Sequence, residues 1–189
     1  GLARWADLVP VDLGRTPASH FSFADVLRIR GVIETVLLDP GVRGVVLVQG
    51  TDTLEETAFA WDLCHDDVRP LIVTGAMRNA SEPAWDGPAN LVGAVRVAAA
   101  EAAREAGVLV VLGGRIHAAD AVAKRHASAV DAFQTREGPP LGRVGEGGVR
   151  LRRRGPRRSL PVTPAAAAMP IPIVVAALET TGADVDAAV

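Results

Sequence analysis

Three side chains in this sequence have the types needed to move a proton as a unit. Thr51 and Asp52 are adjacent in Gln49-Gly50-Thr51-Asp52-Thr53, and Lys124 is the one lysine among 20 lysine and arginine side chains. A threonine hydroxyl is a weak nucleophile until a base or a cation tunes it. Lysine can lose its proton when desolvated, which arginine effectively cannot. Brought together, the hydroxyl, the amine and the carboxylate would make a Thr51–Lys124–Asp52 relay. The plain alternative is a capping aspartate and a solvated lysine. Thr53 and Glu56 have a simpler reading, because S/T-x-x-E before an apolar run is the capping-box pattern of a helix start.

Other polar positions are weaker candidates. Ser19 and His20, in TPASHFSFAD, are possible ligand contacts, whereas Ser22 with Asp25 fits a second capping box. Gly75 and Ala76 are small enough to bring backbone against a ligand. Asp86-Gly87-Pro88 reads as a helix N-cap followed by a first-turn proline. His20, His65, His117 and His126 lack metal-ligand spacing and Cys64 has no cysteine partner, so no metal is expected. Cys64 reads as a small buried hydrophobe on a helix. No G-x-x-x-x-G-K-[ST] loop is present, and no cofactor is expected. The run Arg150–Arg158 lacks interleaved aromatic residues and sits among glycines and a proline. It reads as a solvated edge rather than a nucleic-acid surface.

The elements that must position these residues follow an α/β order. Leu8–Leu13 is a short strand candidate, and Phe21–Leu38 has helical periodicity that Asp39-Pro40-Gly41 stops. Val42–Val48 is a continuous β-branched run suited to a buried parallel strand. From Leu54 to about Asp67, Leu54, Ala58 and Trp61, with Phe59 and Leu63 beside them, make one broad helical face. Leu71–Met77 and Val108–Gly114 read as further strands, separated by a helix from about Ala89 to Ala106 that Gly107 ends. Glu137–Gly155 looks like a hairpin. Alternation of this kind implies right-handed βαβ crossovers and a parallel-sheet, three-layer α/β domain with a small hairpin. Ligands of such sheets sit beyond the carboxyl ends of the strands. The loops to watch are therefore Gly50–Thr53, Gly75–Pro88 and Gly113–Lys124.

Composition narrows the class. The 189 residues are 49% hydrophobic and 22% charged, a one-domain globular balance. A net charge of −2 gives no general attraction to nucleic acid or a membrane surface. No apolar run approaches the ~20 residues of a membrane span, and the first residues lack a signal-peptide pattern. With a single cysteine, these features lead us to expect a cytoplasmic protein.

The motifs then meet a known family. QGTDTLEETAF resembles the GTDT signature of the bacterial-type asparaginase/glutaminase family. VTGAMRNASEPAWDGPANL is similar to its second conserved stretch, and IHAADAVAKRHASAVDAFQT with PLGRV to its third. The resemblance covers about Leu8 to Gly148. It implies an α/β amidohydrolase that cleaves the side-chain amide of L-asparagine, or of L-glutamine, releasing ammonia. Those substrates differ by one methylene, worth only ~1–3 kcal/mol of discrimination. Thr51 matches the second of the family's two threonines and would act with Asp52 and Lys124. Asp52 would also bind the substrate α-ammonium. Ser19, with His20 next to it, would hold the α-carboxylate, and the Gly50 and Ala76 backbone would line the site. A homotetramer or homodimer is implied for the full-length form.

The departures are as informative. The stretch bearing the family's first threonine is absent from this chain, and so is its mobile tyrosine, since the chain has no tyrosine at all. Gln49 replaces the usual histidine, Asn79 a proline and Ala123 a threonine. The expected organisation is an asparaginase-like N-terminal domain over 1–160 without its first strand, a linker over 161–170 and the start of a C-terminal domain over 171–189. Such a fragment is expected to lack useful turnover alone. Two readings compete: an ammonia-supplying subunit of a tRNA-dependent amidotransferase, and a non-catalytic amino-acid-binding module.

Overall fold

The computed structural model describes residues 1–157, 159 and 160. Ser22 starts the first helix, α1 (Phe23–Val36), with the predicted capping box. Its hydroxyl accepts from the Asp25 N–H at 3.2 Å, and the Asp25 carboxylate accepts from the Ser22 N–H at 3.0 Å. Val26, Ile29 and Ile33 recur at helical spacing and are buried. Strand β1 (Val45–Val48) follows, then α2 (Leu54–Cys64), which buries Leu54, Ala58 and Trp61. The Trp61 indole N–H donates to Val26 O at 3.0 Å, fastening α2 to α1. Arg69 closes the end of this layer by donating to Leu37, Asp39 and Val42 carbonyls. Its hydrogen bonds to Asp67 hold that carboxyl down at about 2.

Strands β2 (Leu71–Thr74) and β3 (Val108–Leu112) flank α3 (Gly87–Ala98) in sequence. β4 (Arg115–Ala118), β5 (Val122–Lys124), β6 (Phe133–Thr135), β7 (Gly142–Gly145) and β8 (Gly148–Leu151) follow. Six strands form one sheet in the order β1-β2-β3-β4-β7-β8, and β5 pairs with β6 in a separate two-stranded sheet. β1, β2 and β3 are parallel, in the register Val45↔Leu71 and Leu71↔Val108. Side chains alternate across this sheet. Leu71, Val73, Val108 and Val110 pack under α1 and α2, whereas Ile72, Leu109 and Val111 pack under α3. The result is three layers with βαβ crossovers and a β7–β8 hairpin, as the sequence implies. The antiparallel half, β3-β4-β7-β8, is larger than the pattern suggested.

Several local expectations fail for identifiable reasons. Leu8–Leu13 forms no strand, because Pro10 lacks a donor and no neighbour supplies a ladder; Leu8, Val9 and Val11 stay exposed. β1 starts at Val45 and is an edge among the described strands, so Val48 is 60% exposed rather than buried. α2 stops at Cys64, and Phe59 points outward from its face. α3 stops at Ala98 despite the alanines beyond it. Ala100 is extended, and Ala103 and Ala106 are drawn into the α3-side core, so burial overrides helix propensity.

The arginine run is the largest correction. Arg154 has a side chain only 6% exposed and meets the 4%-exposed Asp62 of α2 at 2.7 Å. Arg157 reaches the same carboxylate at 3.2 Å, and Arg154 also meets Asp120 at 2.8 Å. Asp62 further accepts the Val108 N–H at 2.9 Å. Burial alone would push the Arg154 guanidinium down, and Asp62 and Asp120 more than reverse it, leaving it above its ordinary value. Among the described residues no helix is long and apolar enough to cross a membrane. The linker over 161–170 and the start of a C-terminal domain over 171–189 expected from the sequence lie outside the described residues.

Candidate active site

The parallel strands end at the loops singled out above. Beyond β1, the Gln49 side chain folds onto α2, with its Oε1 accepting from Thr57 Oγ1 at 3.1 Å. Gly50 follows in tight quarters: a Cβ there would meet Ala18 Cβ at 3.0 Å, closer than ordinary van der Waals contact. The neighbouring turn, Ala18–His20, is tied to the same loop by Thr53 Oγ1, which donates to Ala18 O at 2.9 Å. Thr53 therefore occupies the N-cap position without capping α2, and the Thr53–Glu56 box is not formed. Its hydroxyl is used on a tertiary contact instead. That contact carries Ser19 and His20, both exposed, to the edge of the Gly50–Thr53 loop.

Lys124 completes the cluster. Its Nζ donates to Thr51 Oγ1 at 2.9 Å and to Asp52 Oδ1 at 3.0 Å. The Lys124 side chain is 16% exposed and that of Asp52 66%, so the cluster is closed on the lysine side and open on the aspartate side. Asp52 Oδ2 makes no hydrogen bond among the described residues, which leaves lone pairs for a cationic group. Hydroxyl, ammonium and carboxylate thus converge from two elements more than seventy residues apart in sequence.

The second loop presses on Thr51. A Cβ on Gly75 would come within 2.5 Å of Gln49 O and 3.2 Å of Thr51 Cγ2, so glycine lets the Gly75–Ala76 backbone pass against the hydroxyl-bearing residue. Asp86 is the N-cap residue of α3 with Pro88 in its first turn, but its carboxylate turns back. It accepts from Met77 N–H at 3.1 Å, Arg78 N–H at 2.9 Å and Asn90 Nδ2 at 2.9 Å. Burial pushes its carboxyl up, and these donors more than offset that, leaving it below its ordinary value. The buried Asn90 also donates to Gly75 O at 3.0 Å and accepts from Gly113 N–H at 2.9 Å. It stitches the loop after β2 to the loop after β3. Sequence reading gave Asn90 no role; its spacing of four from Asp86 on one helical face was the available signal.

The strand bearing Lys124 is held from two sides. Glu55, in the first turn of α2, accepts the Lys124 N–H with its Oε2. Arg136 Nη2 lies 3.9 Å from its other oxygen. On β4, His117 Nδ1 bonds Thr135 Oγ1 of β6 at 2.9 Å, while its Nε2 is buried without a partner. Burial, with Arg115 nearby, pushes the His117 imidazole down to about 4. Cys64 lies on α2 as the sequence reading had it, but it is half-buried rather than buried: its Sγ donates to Ala60 O at 3.0 Å, and what burial there is pushes the thiol up. Among the described residues no group of three or more His, Cys, Asp or Glu side chains could hold a metal ion.

The molecule is an α/β protein whose parallel strands end at a hydroxyl–ammonium–carboxylate cluster, at the sheet end where ligands of such folds sit. Residues 1–157 match the family model described as "Asparaginase, N-terminal". The chain belongs to the asparaginase family. It is 45% identical over 128 residues to a probable L-asparaginase of Deinococcus radiodurans, covering 68% of this chain and 39% of that protein. It is 40% identical over 117 residues to the L-asparaginase of Bacillus licheniformis, covering 62% of this chain and 36% of that one. The crystal structure of a probable cytoplasmic L-asparaginase from Campylobacter jejuni superposes with a TM-score of 0.77 at 32% identity, over 80% of this chain and 48% of that one. The matched region spans less than two fifths of the length of either curated relative.

Proposed function

We propose that this chain carries the N-terminal part of an L-asparaginase site, for the hydrolysis of L-asparagine by water to L-aspartate and ammonia. One observation carries the reading: Lys124 Nζ stands 2.9 Å from Thr51 Oγ1 and 3.0 Å from Asp52 Oδ1. As water attacks the amide carbon, the Thr51 hydroxyl can accept a proton from it while passing its own to the neutral Lys124 amine, and Asp52 then stabilises the ammonium that forms. The proton so stored is available to the departing amide nitrogen. The solvent-facing side of Asp52 would hold the substrate α-ammonium, and Ser19 with His20 the α-carboxylate. The Ala76 backbone would line the amide end, and the Gly50 backbone would line the site.

The remaining expectations belong to this reading. L-glutamine is the competing substrate, a homotetramer or homodimer the working assembly, and the cytoplasm the compartment, as for the probable cytoplasmic L-asparaginase of Campylobacter jejuni. A domain over 1–160 followed by a linker over 161–170 and a second unit from 171 accords with relatives more than twice as long as the matched region. The test is ammonia release from L-asparagine and from L-glutamine, on this chain and on the reading frame extended at both ends. Release by the extended protein, abolished by Thr51→Ala, is the expected result. Tight binding of aspartate without release would replace the reading with a binding module, and release only inside a partner complex with an amidotransferase subunit.

A further inference from the structure

The relay proposed above depends on where one strand sits. β5 carries Lys124 and pairs with β6, and no ladder bond joins this pair to the six-stranded sheet. A two-stranded ribbon has little stability of its own. Something else must hold Lys124 against the loop after β1. Val122 and Phe133 anchor the ribbon in the core under α1 and α2. His117 anchors β6 through Thr135. Phe133 stands opposite Lys124 across the ribbon, but neither anchor takes up the Lys124 main-chain N–H. Glu55 does, by accepting its main-chain N–H from a position three residues beyond Asp52.

We infer that Glu55 is the positioning residue of the Thr51–Lys124–Asp52 cluster. Lysine has a long, flexible stem, so its Nζ is placed reproducibly only if the main chain is fixed relative to the target. Glu55 lies on the same short segment as Thr51 and Asp52, so its bond refers the Lys124 backbone directly to the two groups that Nζ must reach. An N–H bonded to a carboxylate is stronger than one bonded to a neutral acceptor. Arg136, beside Oε1, offsets part of the added negative charge. In this arrangement reach matters more than charge. Glutamine keeps the reach and an acceptor oxygen but loses the charge. Aspartate keeps the charge and falls one methylene short.

The inference rests on the asparaginase reading for its activity readout and is separable from it by a second one. Glu55→Gln, Glu55→Asp and Glu55→Ala are made in the full-length protein. kcat and KM for L-asparagine are measured, together with hydrogen exchange at the Lys124 amide. Glu55→Gln should keep kcat within about threefold and leave the amide protected. Glu55→Asp should lower kcat by roughly 10- to 100-fold, the cost of a misplacement near 1 Å, with KM little changed and the amide exchanging faster. Glu55→Ala should match Glu55→Asp. A Glu55→Asp protein more active than Glu55→Gln would overturn the inference, since charge rather than reach would then be the requirement. So would an unchanged Lys124 exchange rate in Glu55→Ala and Glu55→Asp. If the parent releases no ammonia, the function reading fails, and the order of exchange rates still decides the role of Glu55.

Discussion

Two of the ion pairs that bridge distant parts of the described residues have opposite surroundings. Lys124 and Asp52 meet at 3.0 Å at the open carboxyl end of the sheet, with Asp52 mostly in solvent. Arg154 and Asp62 meet at 2.7 Å with both side chains almost fully buried. Asp62 is saturated, by two guanidinium groups and the Val108 N–H. Asp52 is not. A saturated buried pair can only hold elements together, whereas a pair with unused lone pairs on its exposed side can accept a third charged group. Charge alone does not separate structure from function here; what the carboxylate has left to offer does.

The sharpest way to break this contrast is Lys124→Met in the full-length protein. Loss of the proton-handling group should lower kcat by about 10²- to 10⁴-fold, with KM and thermal stability nearly unchanged. A variant with near-parental kcat would place the chemistry elsewhere. A variant that unfolds would make Lys124 another structural ion. Asp62→Ala should do the reverse. It leaves Arg154 and Arg157 buried without their shared carboxylate and the Val108 N–H without its acceptor. Removing one partner of a buried pair costs about 3–5 kcal/mol. Urea unfolding should show that loss, while kcat per folded molecule stays close to parental.

A smaller effect concerns a buried polar group that belongs to neither pair. His117 is held neutral by burial, with its imidazole at about 4 against 6.5 in the unfolded chain. The folded state therefore binds the proton less readily than the unfolded state. The stability this neutral histidine contributes is complete above pH 6.5 and declines as pH falls from 6.5 to 4, by on the order of 3 kcal/mol at most. Urea midpoints measured across that window should fall for the parent and fall less for His117→Gln. Parallel slopes would move the acid sensitivity to other groups.

These regions also differ in how far the sequence revealed them. One rare residue type and one polar loop, standing out against an arginine-rich, apolar background, raised the Thr51–Lys124–Asp52 cluster as a candidate, and the family resemblance selected it over a capping aspartate and a solvated lysine. The strands β2 and β3 were legible because continuous burial leaves a continuous apolar run. The Arg154–Asp62 pair was not legible. Asp62 looks like any helical aspartate, and Arg154 stands in a run where exposed neighbours such as Arg150 and Arg153 have the same letter. Only the fold brings residues 92 positions apart together. The ribbon of β5 and β6 was missed because three-residue strands carry too little periodicity to read. Glu55 was missed for a related reason, since its partner is a main-chain N–H, which has no signature in a sequence.

Thr53→Ala sharpens the comparison at its lowest energy, because Thr53 separates two meanings of one motif. As a capping residue, its loss would fray the start of α2 and leave the Ala18–His20 turn in place. The hydroxyl instead donates to Ala18 O at 2.9 Å, so its loss should release that turn while α2 stays ordered. The stability cost should be about 1 kcal/mol, the net worth of one hydrogen bond. Helix capping would cost much the same, so unfolding alone does not distinguish the two. Kinetics do. A loosened Ser19–His20 turn should raise KM severalfold at nearly constant kcat, because the Lys124 contacts do not involve it. A fall in kcat with unchanged KM would mean that Thr53 acts through the Thr51 loop, and the turn would lose its proposed part in holding the substrate.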